Sequence, residues 1–343
     1  MKKRFLTAAK TTLILVYLVI VAGALVRMTG SGMGCPDWPK CFGYYIPPTD
    51  IEELTWAPNR TFDKGQVIIK DESLLVAKRH FTTGNSFDKG HWRNYDKHDY
   101  AIFNPSHTWV EYINRLIGAI AGIATIIMAV FSIGFWKDKR KITILSWLAV
   151  FLMGLQGWLG ATVVYSVLNP VKITLHMIVA LVIVALLLYI IDNAKHRPSQ
   201  FKKDKLFRNL LIATLVLSLI QIVLGTQVRQ FVDDQVKIHG YNQMEIVLRD
   251  PKIDFFIHRS LSILVIVLNL FLLLRNRMLK LGYNKINWIM CIIGMEISSG
   301  LMMYYADFPF GSQALHMVMA AILFGLQFYL ILESRRKPSL STS

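Results

Sequence analysis

The chain has 343 residues, of which 54% are hydrophobic, and a formal net charge of +16 at neutral pH. Its mean hydropathy of +0.42 excludes an ordinary soluble globule and indicates a membrane protein. The basic residues lie in short segments between apolar runs, without the aromatic interleaving typical of RNA-binding proteins. The charge therefore indicates membrane topology, and no nucleic-acid partner is expected.

Eight apolar stretches are long enough to cross a hydrocarbon core, which requires roughly 20 helical residues. They lie at 11–29, 108–134, 143–165, 171–191, 209–228, 253–274, 286–305 and 312–332. Continuous apolar runs predict helices rather than barrel strands, because backbone groups cannot stay unpaired in lipid. The expected fold class is an all-α integral membrane protein with eight transmembrane helices.

The orientation is predicted from basic segments that fall on one side of these spans. The segments are the N-terminal Lys-Lys-Arg, 137–141, 195–208, 275–285 and 335–337. The positive-inside rule makes that side cytoplasmic, with both termini inside and basic loops near anionic lipid headgroups. The first span lacks a small-residue cleavage site, and no Arg-rich transit sequence precedes it. We therefore expect a multi-pass protein of a bacterial inner membrane.

Two cysteines follow the first span in the phrase Gly-Cys-Pro-Asp-Trp-Pro-Lys-Cys, at Cys35 and Cys41. In an oxidising compartment the pair could close a small disulfide loop, and two free thiols are the alternative. Metal binding is less favoured, because no histidine or second cysteine pair lies at zinc-ligand spacing.

The first outer loop, residues 30–106, is long, polar and mixed in charge. Loops of this length are usually functional or disordered, so we expect a partly ordered lid or docking surface. Its histidines are interpreted as solvated loop residues rather than ligands: His80, His91 and His98.

The chain contains an internal repeat of four spans. Spans one and five end in Gly23-Ala-Leu-Val-Arg27 and Gly225-Thr-Gln-Val-Arg229. Spans two and six open with Tyr112-Ile-Asn114-Arg115 and Phe256-Ile-His258-Arg259. Spans four and eight share Leu-His-Met, at His176 and His316. Matches in register predict two pseudo-symmetric four-helix bundles, at 1–192 and 193–343, related by an axis along the membrane normal.

Histidines inside membrane spans are costly and usually mark function. His258 and His316 lie at similar depth near the outer ends of two spans in the second half. Two such histidines can ligate one heme iron from opposite faces. The alternative is two unrelated histidines that are hydrogen-bonded within the bundle. We predict a bis-histidine heme in the second half.

The first half keeps His176 but has Asn114 where the repeat predicts histidine. An amide oxygen is a poor axial ligand, so this site would have one strong ligand and an open face. A closed heme suits electron transfer and an open one suits chemistry, which predicts a substrate site here. His107 is an alternative ligand, but it lies about 10 Å from Asn114 along a helix.

Glu111 shares a helical face with Asn114 and could accept a proton or stabilise a developing cation. The alternative is an ion pair with Arg115 at the membrane boundary.

Four arginines recur in pairs near outer helix ends: Arg27, Arg115, Arg229 and Arg259. Their guanidinium groups match heme propionates, although snorkelling to headgroups is equally compatible. Three polar positions beside small residues predict close helix packing with interhelical hydrogen bonds: Gln156, Gln221 and Glu296.

Taken together, these residues resemble the heme A synthase family, the membrane enzymes of cytochrome oxidase assembly. The resemblance covers roughly 11–333 apart from the long outer loop. Its most specific part is Gly-Ala-Leu-Val-Arg-Met-Thr-Gly-Ser-Gly-Met-Gly-Cys-Pro-Asp-Trp-Pro-Lys-Cys at 23–41. The other parts are the Glu-x-x-x-Arg start of span two, Gln-Gly-Trp-Leu-Gly, the pair His258-Arg259 and both Leu-His-Met sites.

The resemblance implies oxidation of the ring methyl of heme O to the formyl group of heme A, through a hydroxymethyl intermediate. It implies heme b on His258 and His316, and heme O on His176 and Glu111. Cys35 and Cys41 match a cysteine pair of the family. The implied partners are the heme O synthase (a farnesyltransferase) and a quinone or other electron acceptor.

The chain departs from the family pattern Glu-x-x-His in span two, because Asn114 replaces the histidine. Asn114 could hydrogen-bond a ligand or water, His107 could take over, or the iron could stay five-coordinate; we expect the last. Competing hypotheses are a diheme b-type electron-transfer cytochrome and a non-catalytic heme-binding assembly protein. A transporter is disfavoured, because the spans lack midplane charges and matched broken helices.

Overall fold

Apolar segments without internal proline form nine helices in the part of the chain that the computed structural model describes, residues 2–195, 201–240, 243–247 and 249–336. The helices are α1 Lys2–Met28, α2 Pro105–Ser132, α3 Arg140–Tyr165, α4 Pro170–Lys195, α5 Lys205–His239, α6 Met244–Val247, α7 Ile253–Met278, α8 Lys285–Tyr305 and α9 Ser312–Arg335. All except the one-turn α6 are long and apolar enough to cross a membrane, so the prediction of eight spans is confirmed.

Local sequence signals set the helix starts. Pro105 opens α2 in the first turn, where a missing N–H costs nothing, and the Asn104 side chain accepts a hydrogen bond from His107 N. Asp204 caps α5 in the same way, accepting from Phe207 N at 2.6 Å. The α5 helix continues to His239, well beyond its predicted end at 228, so the polar residues that follow span five extend this helix.

The helices pack as two sets of four. In the first set α1 packs on α2, α2 on α3, α3 on α4, and α4 back on α1. The second set has the same order of neighbours: α5 packs on α7, α7 on α8, α8 on α9, and α9 back on α5. Each set has its own apolar core. The sets meet where α9 packs on α1 and α4, and where α4 packs on α5, around a small cluster of Leu181, Ala321 and Phe324.

One end of the bundle, here called the basic end, contains the start of α1 and the connections after α2, α4 and α7. Ion pairs tie helices together there: Asp204 to Arg275 at 2.9 Å, Lys285 to Glu333 at 2.7 Å, and Asp192 to Arg336. Parts of the predicted basic segments, residues 196–200 and 337, lie outside the described residues.

The outer segment between α1 and α2 is folded and contains β-structure, which corrects the all-α expectation for this part. Its strands are β1 Thr61–Phe62, β2 Val67–Lys70, β3 Ser73–Ala77, β4 Phe81–Thr82 and β5 Trp92–Asn94. They form an antiparallel sheet β2-β3-β5, with Val67 opposite Val76, and a small β1-β4 pair. Short 3₁₀ helices at Ser31–Met33, Ile51–Leu54 and Lys89–His91 complete the segment.

Two buried clusters hold the outer segment together, one on each face of the sheet, because successive residues of a strand point to opposite faces. Leu54, Val67 and Val76 pack with the two cysteines, and Phe62 packs edge-on against Trp92 with ring centres 5.0 Å apart. The segment is therefore a compact cover on the bundle rather than a partly ordered loop.

Candidate heme-binding site

The candidate functional residues lie at the end of the bundle opposite the basic end, here called the site end. It contains the last turns of α1, α3, α5 and α8, the first turns of α2, α4, α7 and α9, and the outer segment.

His258 of α7 and His316 of α9 face each other in the second set. Their ring centres are 6.3 Å apart, and the ring planes are inclined by 69°. A ligating nitrogen lies about 2 Å from its metal and the ring centre about 1 Å further, so two rings on opposite faces of one iron have centres about 6 Å apart. The separation of the two ring centres therefore matches the separation expected for two imidazoles on opposite sides of one metal ion.

His316 is oriented by two neighbours on α8. Its Nδ1 lies 2.9 Å from a Glu296 carboxylate oxygen and 2.9 Å from Ser299 Oγ. This leaves Nε2 available for a metal, the arrangement typical of ligating histidines. The sequence predicted an interhelical hydrogen bond for Glu296, but not that its partner would be the ring of His316.

Glycines give the histidine rings room on the neighbouring helix. A Cβ at Gly225 would lie 3.2 Å from His258 Cε1, and one at Gly160 would lie 3.4 Å from His176 Cε1. At Gly300 the corresponding distance to His316 Cε1 is 3.8 Å. Each ring thus packs against a stretch of bare backbone. A Cβ at Gly225 would require the His258 ring to shift by a few tenths of an ångström, whereas the distances at Gly160 and Gly300 are ordinary van der Waals contacts.

Glutamines bond to the backbone of the other two histidines. Gln156 Nε2 donates to the carbonyl oxygen of His176 at 2.9 Å, and Gln221 Nε2 donates to that of His258 at 2.6 Å. These bonds confirm the prediction of interhelical hydrogen bonds, and they fix the helix turns from which the rings project.

In the first set, His176 of α4 and Asn114 of α2 both lie at the site end. His176 Nδ1 and Asn114 Oδ1 are buried and have no hydrogen-bond partner among the described residues. Buried polar atoms in native proteins are usually paired, so each of these side chains has unused capacity for a bound polar group. His107 is in the first turn of the same unbroken helix, which keeps it about 10 Å from the level of Asn114.

Glu111 is buried at 4% exposure and uses both carboxylate oxygens. One is paired with Arg115, which is the ion-pair alternative raised by the sequence, and the other accepts from Cys35 N at 2.9 Å. Glu111 therefore joins α2 to the cysteine loop.

The cysteine loop is closed by a disulfide between Cys35 and Cys41, as the sequence suggested. Arg115 donates to the carbonyl oxygens of Asp37 at 2.6 Å and Lys40 at 2.9 Å, so its guanidinium group links the loop to α2. Burial raises the pKa of the Asp37 carboxyl, although the N–H groups of Gly43 and Phe42 and the charge of Arg115 oppose this. The loop is thus fixed over the start of α2.

The remaining predicted arginines have different surroundings. Arg27 and Arg229 both pair with Asp233, at 3.3 Å and 2.7 Å. The guanidinium group of Arg259 lies over the ring of Tyr304, 5.6 Å from its centre. Asp233 belongs to the extension of α5 that the sequence did not predict.

The histidines of the outer segment find local partners. His80 Nδ1 lies 2.7 Å from Asp63, His91 Nε2 lies 3.2 Å from Asp88, and His98 Nε2 lies 3.0 Å from Pro36 O. In the described residues, no group of three or more His, Cys, Asp or Glu side chains is arranged to hold a metal ion. These histidines are therefore part of the local fold of the cover.

Comparison with known proteins finds one family model and several relatives that share one name. A family model described as COX15-CtaA, cytochrome oxidase assembly protein, matches residues 7–66 and 64–328. A protein named heme A synthase from Rickettsia felis is 25% identical over 353 residues, covering 91% of this chain and 93% of its own length. One from Wolbachia pipientis wMel is 22% identical, covering 94% of this chain and 91% of its own length.

A third relative of the same name, from Shewanella oneidensis, is 25% identical over 218 residues. That match covers 63% of this chain and 54% of the relative, about half its length. The family model spans nearly the whole bundle, including the histidines of both sets and the disulfide loop. The chain belongs to the COX15-CtaA family of cytochrome oxidase assembly proteins.

Proposed function

We propose that the chain is a heme A synthase, which oxidises the ring methyl of heme O to the formyl group of heme A through a hydroxymethyl intermediate. Family membership and relatives of that name support the proposal. The observation that carries it is the difference between the sets: two histidines with ring centres 6.3 Å apart in one, and His176 with Asn114 in the other.

The second set would bind heme b, with His258 and His316 as axial ligands. When bound, this group supplies one-electron transfer. The chain contributes the ring spacing, the space at Gly225 and the orientation of His316 by α8. Both histidines would be used in holding that group, so substrate chemistry is not expected in the second set.

The first set would bind heme O, the substrate, with His176 on its iron. Asn114 on α2 would leave the other face without a strong protein ligand. Glu111 and Arg115 hold the disulfide loop over the start of α2, and we assign them to shaping and covering this site. A carboxylate at Glu111 would also oppose a positive charge that develops on the substrate.

The arrangement of the chain is proposed on the same basis. Residues 1–192 and 193–343 would be pseudo-symmetric halves, since the two sets share one order of helix neighbours. Both termini and the basic end would face the cytoplasm of a bacterium, in its inner membrane. Heme O synthase and a quinone or other electron acceptor are the proposed partners, and arginines at the site end would approach heme propionates.

Product analysis tests the proposal. The full chain is expressed in a host that makes heme O but no heme A, and total heme is identified by chromatography and mass spectrometry. Heme A or its hydroxymethyl intermediate, absent from the same host without the chain, is the expected result. A folded protein that carries only heme B and heme O, in a host with a working electron acceptor, would contradict it.

A further inference from the structure

Glu296 and Ser299 both lie within hydrogen-bond distance of the same ring nitrogen of His316. The Ser299 hydroxyl donates its hydrogen to the Glu296 carbonyl at 3.0 Å, so its oxygen can only accept from Nδ1. The Glu296 carboxylate oxygen, also 2.9 Å from Nδ1, is an acceptor as well. With two acceptors around it, Nδ1 carries the proton, and Nε2 carries the lone pair that a metal needs.

The carboxylate of Glu296 is committed to this contact. Its side chain is 16% exposed, and its second oxygen has no hydrogen-bond partner among the described residues. A carboxylate within a membrane span is costly unless it makes a specific interaction. His316 Nδ1 is the group that offsets this cost, and a charge-assisted hydrogen bond in such surroundings is strong.

The equivalent position in the first set lacks a carboxylate that contacts the histidine ring. Position 156 precedes His176 by the same spacing as position 296 precedes His316, and it holds glutamine. Gln156 bonds to the His176 backbone, not to the ring, and His176 Nδ1 has no partner in the described part of the chain. The two equivalent histidines therefore differ in what holds their rings.

We propose that Glu296 is a positioning residue that strengthens His316 as an axial ligand and lowers the reduction potential of the heme bound between His258 and His316. The inference rests on the proposed function, because it requires heme iron at this site. A carboxylate that draws the Nδ1 proton increases the electron density at Nε2, which stabilises ferric over ferrous iron. The second-half heme would thereby release its electron to an acceptor more readily.

The test compares purified full-length variants by the reduction potential and the visible absorption of their bound heme b. Glu296→Gln keeps the shape but removes the charge, so the potential should rise and heme retention should fall by about tenfold or more. Glu296→Asp should restore part of the wild-type potential. Ser299→Ala should raise the potential by less than Glu296→Gln, because the carboxylate remains.

A matched control is Gln156→Ala, which removes an interhelical hydrogen bond at the equivalent position of the first set. It should leave the potential of the second-half heme unchanged, which separates tuning from general loosening of the bundle. If Glu296→Gln retains too little heme to titrate, Glu296→Asp and Ser299→Ala decide the question.

The possible failures are distinguishable. A wild-type protein without a low-spin heme that depends on both His258 and His316 contradicts the proposed function itself. A wild type with that heme, but with the same potential in the Glu296 and Ser299 variants, overturns only the inference about Glu296.

Discussion

Arg27 of α1 and Asp233 of α5 form an ion pair of 3.3 Å across the boundary between the two four-helix sets. Arg229, one turn before Asp233, pairs with its other oxygen at 2.7 Å and donates to the Arg27 carbonyl at 3.1 Å. One carboxylate thus holds two largely buried guanidinium groups, one from each set. This cluster connects the half assigned to heme O with the half assigned to heme b.

Replacing Asp233 by asparagine should destabilise the protein by about 2 kcal/mol, because it leaves two mostly buried positive charges without their carboxylate. The measurement is the thermal unfolding midpoint of the detergent-purified protein. The neighbouring Asp234→Asn is the matched control, since Asp234 is more exposed and its contact with Lys237 is 4.0 Å long. Equal midpoints for the two variants would contradict the assignment.

Glu111→Gln tests how the disulfide loop is held. The variant weakens the bonds to Arg115 and Cys35 N, so the outer segment should be cleaved faster in limited proteolysis and heme A formation should fall at least tenfold. The control is Glu53→Gln, a carboxylate that caps a 3₁₀ helix within the cover. Lost heme A formation with unchanged proteolysis would indicate a direct role in proton transfer, and no change in either would contradict both roles.

Asn114→His tests which residue faces the substrate iron. A second imidazole opposite His176 should add a low-spin, six-coordinate component to the absorption spectrum of protein loaded with heme O. His107→Ala is the control and should leave the spectrum unchanged, because His107 lies two helical turns away. If His107→Ala alters the spectrum and Asn114→His does not, the assignment of position 114 is wrong.

Gly225→Ala tests the fit of the His258 ring. The new Cβ would lie 3.2 Å from His258 Cε1, so the ring must shift by a few tenths of an ångström and the heme b content should fall. Gly23 is the equivalent glycine of α1, and a Cβ there meets nothing within 4 Å. Gly23→Ala should therefore keep the wild-type content of heme b; equal losses in both variants would show that the effect is not local to His258.

The sequence was a good guide to the spans and to the histidines, because both depend on local pattern. Apolar runs of sufficient length specify membrane helices, and the repeated Leu-His-Met phrases identify His176 and His316. The short separation of Cys35 and Cys41 in one outer loop suggested the disulfide that the structure contains, with two free thiols as the alternative. The spans and the cysteine pair are local features, and the two histidines are found by comparing the halves of the repeat.

The outer segment was harder to predict, because its turn lacks the usual residues. Strands β2 and β3 are joined by Asp71 and Glu72, both with positive φ, of 49° and 57°. A two-residue turn of this kind normally has glycine at its second position, as in Asn-Gly or Asp-Gly, and here Glu72 takes that position. Without that signal, the mixture of charged and apolar residues resembled an irregular loop.

The roles of Glu296 and Asp233 depend on contacts between helices, which no local pattern reveals. In the sequence, Glu296 resembles a packing position beside small residues. Its contact with His316 is seen only in the packed structure. A comparison within the repeat offers the one usable signal, since glutamine stands at 156 where glutamate stands at 296. Asp233 lies on a polar extension of α5 that hydrophobicity alone does not identify as helix.

The central claim is that the two sets of helices have different roles: one converts heme O and the other carries electrons. The most direct test is the heme composition of His176→Ala purified from a host that makes heme O. The account predicts that the variant retains low-spin heme B on His258 and His316 but forms no heme A. Normal heme A formation by this variant, or loss of heme B from a folded protein, would contradict the division.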